Sequence, residues 1–509
     1  MTLLPDTRVT TTDLKVEVTG GRVRGVVERG MLHWRGIPYA TAERLRVPGP
    51  VEPWEGVRDA SRFGPIPFQL PVVQATAPFR VPRSEDCLSI NVIAPDAPAA
   101  TARPVMVFIH GGAYTTGSSR EIPRLGEALV RDGDVLFVNF NYRLGALGYL
   151  DFSGYASEEH PFASNLGLRD QVAALAWVRD NVAAFGGDPD NVTVFGESAG
   201  GNAVTTLITV PAARGLFARG VSESGSPEAV YPQELTREWG ADFVDILREV
   251  TGDTDTDAAE LLESTPADTL VRAAAVMRQR TPDAVPGTIA FSPVIDGDFL
   301  PERPVDAVAA GRSHHVPLII GTNAREGSLF RGRLDLLATT RPRIRAVFGK
   351  TERAARSLLF AQYRALPPRV SAAEFGGDYT FWYPSIRYAE GHSRFAPVHF
   401  YRFDIATRAL RYAGLDATHG IELFAVFDLV DTPVGRAAGI LGGRASFKRT
   451  GERVRRRWTG FARGEGPGDD WAPYTPERRA TLIIDAEDRV EFDPRRDRRL
   501  AWQAFVPHL

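Results

Sequence analysis

The chain has 509 residues, 43% of them hydrophobic, and a formal net charge of −3. That composition can fill a sizeable buried core and offers no global attraction to a polyanion. A single cysteine, Cys87, excludes an intrachain disulfide and a thiolate metal centre.

The basic residues are nearly all arginine, with lysine only at Lys15, Lys350 and Lys448. The densest run, RVRRR at 453–457, reads as a solvated helix face, so no nucleic-acid partner is expected. The opening MTLLPDTRVTTTDLKVEV lacks a basic start followed by a long apolar run, so no secretory leader is expected. The longest apolar runs, such as VMVFI (105–109) and VPLII (316–320), are too short to span a bilayer. A soluble cytoplasmic protein with no membrane partner is the expectation.

In chain order, LKVEVTGG, RVRGVVE and LSINVIA read as short strands, with Gly20-Gly21 as a hairpin turn. PDAPAATARP (95–104) is a loop. VMVFI (105–109) and VLFVNF (135–140) are continuous apolar runs, as in strands buried on both faces of a largely parallel sheet. A helix is predicted at 168–185, where Val172, Leu175, Val178 and Val182 recur at helical spacing. Gly186-Gly187 ends it and Pro189 prevents its resumption. A strand, VTVF, and a further helix follow. Later strands are predicted at PLIIG (317–321), HFYRFD (399–404) and TLIID (481–485). The middle, about 228–395, holds helical stretches such as EWGADFVDILREV and reads as insertions over the sheet's edge. The alternation of strand and helix makes the fold class α/β.

Between strand VTVF and its helix, Gly196-Glu197-Ser198-Ala199-Gly200 fits the G-x-S-x-G elbow. A serine hydroxyl is a weak nucleophile at neutral pH and must be presented clear of its neighbours, beside a base. Flanking glycines permit the tight turn that does this. HGGAY (110–114) follows strand VMVFI directly. Gly111 and Gly112, with the N–H of Ala199, are candidate donors to a tetrahedral oxyanion, each worth ~2.7–4 kcal/mol to a transition state.

Such a serine needs a carboxylate and a histidine later in the chain, in that order. Glu326 in GTNAREGSLF and His419 in ATHGIELF both lie beyond predicted strands. Nine histidines compete for the role. His110 belongs to the Gly-Gly loop and shapes it, His314 and His315 read as a surface pair, and His33, His160, His392, His399 and His508 carry no motif. Position alone leaves His419 one candidate among several.

The motifs resemble those of the type-B carboxylesterase/lipase family, which includes the cholinesterases. SEDCLSINV (84–92), NYRLGALGYL (141–150), NLGLRDQ (165–171), FGGDPDNVTVFGESAGG (185–201), SESGS (222–226), FSPVIDGDFLP (291–301) and HGIEL (419–423) occur in the family's order, from GIPYA (36–40) to WAPY (471–474). The resemblance implies an α/β-hydrolase fold: a large central, mostly parallel sheet flanked by helices, with helical insertions over the active site. It implies one catalytic domain over 1–509 and a carboxylic ester hydrolase with the triad Ser198, Glu326 and His419. The implied oxyanion hole is Gly111, Gly112 and Ala199, with Glu197 beside the nucleophile and Ser224 supporting the triad. No cofactor and no metal are implied, and the partner is a small-molecule ester. Oligomeric state is not legible.

Three departures from the family bear on specificity. An arginine, Arg325, precedes Glu326 where relatives often carry an acid. Turned towards Glu326, it would strengthen the ionised carboxylate. Cys87 lacks the disulfide partner of secreted relatives. No tryptophan lies between Phe63 and Cys87, where cholinesterases hold a quaternary ammonium, so choline esters are not expected substrates. PFQLPVVQATAPF (67–79) suggests an apolar rim suited to short or medium acyl or aromatic esters. The rival readings are a lipase, although no long amphipathic lid is evident, and a noncatalytic binding protein of the same fold.

Overall fold

Two faces of one sheet sort the apolar residues. In the strand Arg103–Ile109, Val105, Val107 and Ile109 enter one core while Met106 and Phe108 enter another. The period of two along a strand sends alternate side chains to opposite faces, and a run apolar at every position needs both faces covered. The computed structural model describes residues 14–69, 81–120, 125–332 and 334–505. Residues 1–13 of the opening read for a leader, and 70–79 of the apolar segment, lie outside these.

Eleven strands form the central sheet: β1 (Val26–Glu28), β2 (Met31–Pro38), β3 (Ser89–Pro95), β4 (Arg103–Ile109), β5 (Leu136–Phe140), β6 (Gly187–Glu197), β7 (Arg219–Glu223), β8 (Leu318–Asn323), β9 (Val398–Phe403), β10 (Ala480–Ile484) and β11 (Arg489–Phe492). Their order is β1-β2-β3-β5-β4-β6-β7-β8-β9-β10-β11. Pairing is parallel from β5 through β10 and antiparallel at both ends. This is the α/β-hydrolase fold expected from the motifs, with a mixed sheet whose parallel centre carries the site.

The principal helices are α1 (Leu166–Asn181), α2 (Ala199–Leu207), α3 (Gln233–Thr251), α4 (Ala267–Ala284), α5 (Tyr383–His392) and α6 (Arg444–Ala462). Leu175 and Val178 of α1 and Val204 and Leu207 of α2 join the core on one face, while Val454, Trp458 and Phe461 of α6 cover the other. A single 3-10 turn continues α1 to Phe185. Gly186 then closes it with φ 85°, in the left-handed region a glycine adopts without penalty.

Several expectations need correction. RVRGVVE is not one strand: Gly21–Arg24 pairs with Lys15–Val18 in a separate small sheet, and Val26–Glu28 joins the central sheet. A side chain at Gly25, between them, would lie 2.5 Å from the His33 carbonyl oxygen. The 228–395 stretch is not all insertion, since it supplies β8 to the sheet centre, and Ile289, Phe330, Leu336, Leu337 and Phe381 from it line the cleft at Ser198. His314 is buried against Phe217, which holds its ring neutral with a pKa pushed down to about 4; only His315 is exposed.

The RVRRR run is not a solvated face. Arg455 is 2% exposed and donates to Asp132 and to the Ala425 carbonyl, both at 2.7 Å. Arg453 and Arg457 pair with Asp488, and Arg457 also with Asp470. Only Arg456 faces solvent. Three of the run's arginines, Arg453, Arg455 and Arg457, meet acids supplied by distant segments, which local sequence does not reveal.

Candidate active site

Strand β6 ends at Glu197 and α2 begins at Ala199, so Ser198 alone makes the turn. Its φ of 58° and ψ of −120° are rarely held by an L residue. The turn is fixed at both ends: the Ser198 amide donates to the Glu223 carbonyl, and the Asn202 amide donates to the Ser198 carbonyl, each at 2.9 Å. The flanking glycines are required because the end of β4 passes directly against the elbow. A side chain at Gly196 would sit 2.7 Å from the Ile109 carbonyl oxygen, and one at Gly200 would collide with the same atom.

The Gly-Gly loop leaves β4 beside this turn. A side chain at Gly111 would lie 3.1 Å from Ser198 Cβ and 2.7 Å from the Glu197 carbonyl oxygen. Gly112 has φ 113°. Three braces set the loop. The Gln69 side chain donates to the Gly117 carbonyl and accepts from the Gly117 amide, both at 2.8 Å. Tyr114 donates to Asn202 Oδ1 at 2.6 Å, tying the loop to α2. His110 stacks on Tyr142 with ring centroids 4.4 Å apart, and burial pushes its pKa down to about 4. The amides of Gly111, Gly112 and Ala199 donate to no protein acceptor among the described residues, which leaves them available to a ligand.

Three side chains from separate loops meet at the elbow. His419 Nε2 lies 2.8 Å from Ser198 Oγ, and His419 Nδ1 lies 2.6 Å from Glu326 Oε2. Ser198 follows β6, Glu326 follows β8 and His419 lies on the connection after β9, all at the carboxyl ends of parallel strands. Glu326, His419 and Glu197 are buried, and Ser198 is half-buried. Glu197 Oε1 also approaches His419 Nε2, at 3.3 Å. Phe381 and Phe330 flank the imidazole at centroid distances of 4.5 and 5.1 Å. Burial disfavours the charged ring, but Glu197 and Glu326 outweigh it and raise the His419 pKa to about 9.

Glu326 is fully bonded behind the ring. Its Oε1 accepts from the Ser224 hydroxyl at 2.7 Å and from the Asn323 amide at 2.6 Å. Arg325 does not turn towards it; its guanidinium pairs with Glu374 and with Asp416. The expected cationic support of Glu326 is therefore absent, and Arg325 instead ties the loop outward.

Sequence reasoning missed Glu422, Asn323 and Glu223. Ser224 Oγ contacts Glu422 as well as Glu326, and Asn323 Nδ2 donates to both Ser224 and Glu422. One hydroxyl has one proton to give, so one carboxyl must supply a proton of its own. Glu422 fits that role: burial and the nearby Glu326 raise its pKa to about 7. Its signal was its place three residues after His419, inside HGIEL. Glu223 is likewise held high by burial and by Glu422, and accepts from Trp458 Nε1 at 2.7 Å.

Ser198 opens into a cleft of about 400 Å³ walled by Ile289, Phe330, Leu336, Leu337 and Phe381. The described residues contain no group of three or more His, Cys, Asp or Glu side chains placed to hold a metal ion. No described helix is long and apolar enough to cross a membrane.

Residues 12–502 match the model of the carboxylesterase family. The chain belongs to that family. It is 36% identical to the para-nitrobenzyl esterase of Bacillus subtilis over 492 residues, covering 94% of this chain and 96% of the relative. It is 31% identical to the phenmedipham hydrolase of Pseudarthrobacter oxydans over 484 residues, 91% and 92% of the two chains. A solved PNB esterase superposes with a TM-score of 0.85 at 34% identity, covering 98% of this chain and all of the other. A Geobacillus stearothermophilus carboxylesterase superposes at 0.81 and 33%, covering 96% and 100%. This carboxylesterase is thus a carboxylic ester hydrolase by family.

Proposed function

We propose that this carboxylesterase works by serine acyl transfer. The observation that carries the reading is the hydrogen-bonded line from Ser198 Oγ through His419 to Glu326, at 2.8 and 2.6 Å. His419 Nε2 takes the hydroxyl proton as Ser198 Oγ attacks the ester carbonyl. The amides of Gly111, Gly112 and Ala199 receive the oxyanion. His419 returns the proton to the departing alcohol, leaving an acyl group on Ser198. Water, deprotonated by His419, then releases the acid. Glu326 holds the ring's orientation and favours its charged form, and Ser224 holds Glu326. Glu197, close to Nε2, adds to that field.

The substrates are short or medium acyl or aromatic esters. A modest cleft with apolar and aromatic walls supports this over a lipase acting on long chains, and two relatives carry the names para-nitrobenzyl esterase and phenmedipham hydrolase. The intact serine–histidine–glutamate line weighs against a noncatalytic binding protein. We read 1–509 as one catalytic domain acting in the cytoplasm, and the internal pairing of Arg453, Arg455 and Arg457 argues against a nucleic-acid surface there. The test is hydrolysis of para-nitrophenyl esters of graded acyl length by wild type and Ser198→Ala. The reading requires turnover on short or medium chains and a loss of several orders of magnitude in the variant. Equal turnover by both proteins would overturn it.

A further inference from the structure

The cleft at Ser198 continues past the nucleophile. It shares Ala113, Ile289 and Leu336 with an adjoining pocket of about 280 Å³, which in turn shares Thr115 and Arg278 with a third of about 410 Å³. Helix α4 walls the far end. Val271, Ala274, Ala275 and Arg278 are spaced by three or four residues, so they share one helix face, and all four line the third pocket. Two alanines keep that wall low, and Arg278 places a cation at its near end, where the second and third pockets meet.

Every other charged side chain of α4 has a protein partner. Asp268 pairs with Arg83 at 3.2 Å, Arg280 with Glu249 at 2.9 Å and Asp283 with Arg343 at 2.6 Å, while Arg272 donates to Thr269 Oγ1 at 2.8 Å. Arg278 is half-buried and has neither an ion pair nor a hydrogen bond among the described residues. Taking a guanidinium partly out of water without a counter-charge is unfavourable. The groups it meets in the adjoining pocket are hydroxyl and apolar: Thr115, Thr281, Thr288, Ile289 and Leu336.

We infer that Arg278 is a specificity-determining residue that selects esters carrying a carboxylate remote from the scissile bond, such as monoesters of dicarboxylic acids. The inference rests on the esterase reading of Ser198. The planar guanidinium fork matches a carboxylate in two-point contact, and the alkyl chain between ester and carboxylate lies along Ala113, Ile289 and Leu336, which the first two pockets share.

The test compares kcat/KM for monomethyl adipate, pimelate and suberate with that for methyl hexanoate, heptanoate and octanoate, followed by pH-stat. Wild type favours the anionic member of at least one pair. Arg278→Gln lowers that anionic-to-neutral ratio by about tenfold, the effect of losing a charge-assisted contact at a partly exposed site. Arg278→Lys retains much of the ratio, and Arg278→Glu inverts it. Hydrolysis of methyl octanoate by each variant reports an intact fold and nucleophile. Should a variant fail to fold, wild type alone decides: added salt narrows its anionic preference. A ratio in wild type that ignores salt, or one unchanged by Arg278→Gln, overturns the inference while leaving the esterase reading intact. Wild type inactive on both series overturns both.

Discussion

Glu197 Oε1 lies 3.3 Å from His419 Nε2, the same ring nitrogen that faces Ser198 Oγ. The base therefore works beside a carboxylate that favours its protonated form. His419 has a pKa of about 9, above its ordinary 6.5, and only the neutral ring can accept the Ser198 proton. The acid limb of kcat/KM should accordingly rise into the alkaline range. Glu197→Gln removes a charge that raises the pKa, so the limb moves to lower pH. A limb unmoved by the substitution contradicts this role for Glu197.

The same shift carries a stability consequence of opposite sense. A folded-state pKa raised above the unfolded value stabilises the protein while the ring is protonated. That contribution is complete below about pH 6.5 and is lost as pH rises through about 9. Melting temperatures of wild type and His419→Asn, followed across this window, should differ in slope, with wild type losing more stability as pH rises.

The elbow stores backbone strain at Ser198. Ser198→Gly and Ser198→Ala both remove the nucleophile, but only glycine relaxes φ 58° and ψ −120°. Strain of this kind costs about 1–3 kcal/mol, of which the extra chain entropy of glycine returns about 0.5–1. The glycine variant should melt above the alanine variant by the equivalent of about 1 kcal/mol. Gly200→Ala should act the other way, because its methyl meets the Ile109 carbonyl: folding yield and activity both fall.

Beneath the triad, Glu422 is assigned as the neutral acid that donates to Ser224, which then donates to Glu326. A glutamine there can donate to Ser224 and accept from Asn323. Glu422→Gln should keep kcat within about threefold, whereas Glu422→Leu should lose about tenfold or more by leaving buried polar groups unpaired. Equal losses in both variants would exclude the protonated carboxyl.

Arg455 and Arg456 are neighbours with opposite environments. Arg455→Ala strands the Ala425 carbonyl, takes from Asp132 one of its two arginine partners and leaves a void, costing about 3 kcal/mol. Arg456→Ala, on the solvent side, should stay within about 0.5 kcal/mol. Denaturant unfolding of the two variants measures the contrast.

The contrast also marks what sequence carries. The elbow was legible because its requirements are local: two glycines around a serine, between an apolar strand and a helix. The Gly-Gly loop after β4 was legible for the same reason. The partners of Ser198 were not, since Glu326 and His419 reach it across 128 and 221 residues of chain, and only the family resemblance singled out His419 among nine histidines. Burial of charge was the weakest point. Arg455, His314, Glu223 and Glu422 all look solvent-compatible in sequence, and each is buried by segments far away in the chain. Strand β2 escaped notice because its alternation breaks at a register shift between Trp34 and Ile37, and β11 because it is a charged edge strand.

The central claim is that Ser198 is acylated by the substrate. Its most direct test is the intact mass of the enzyme after brief exposure to a fluorophosphonate ester, with the adduct located by peptide mapping. The account predicts one adduct per chain on Ser198, loss of ester hydrolysis in proportion to labelling, and no adduct in His419→Asn over the same interval. Labelling of a different residue together with loss of hydrolysis, or full hydrolysis by a chain fully labelled at Ser198, would contradict it.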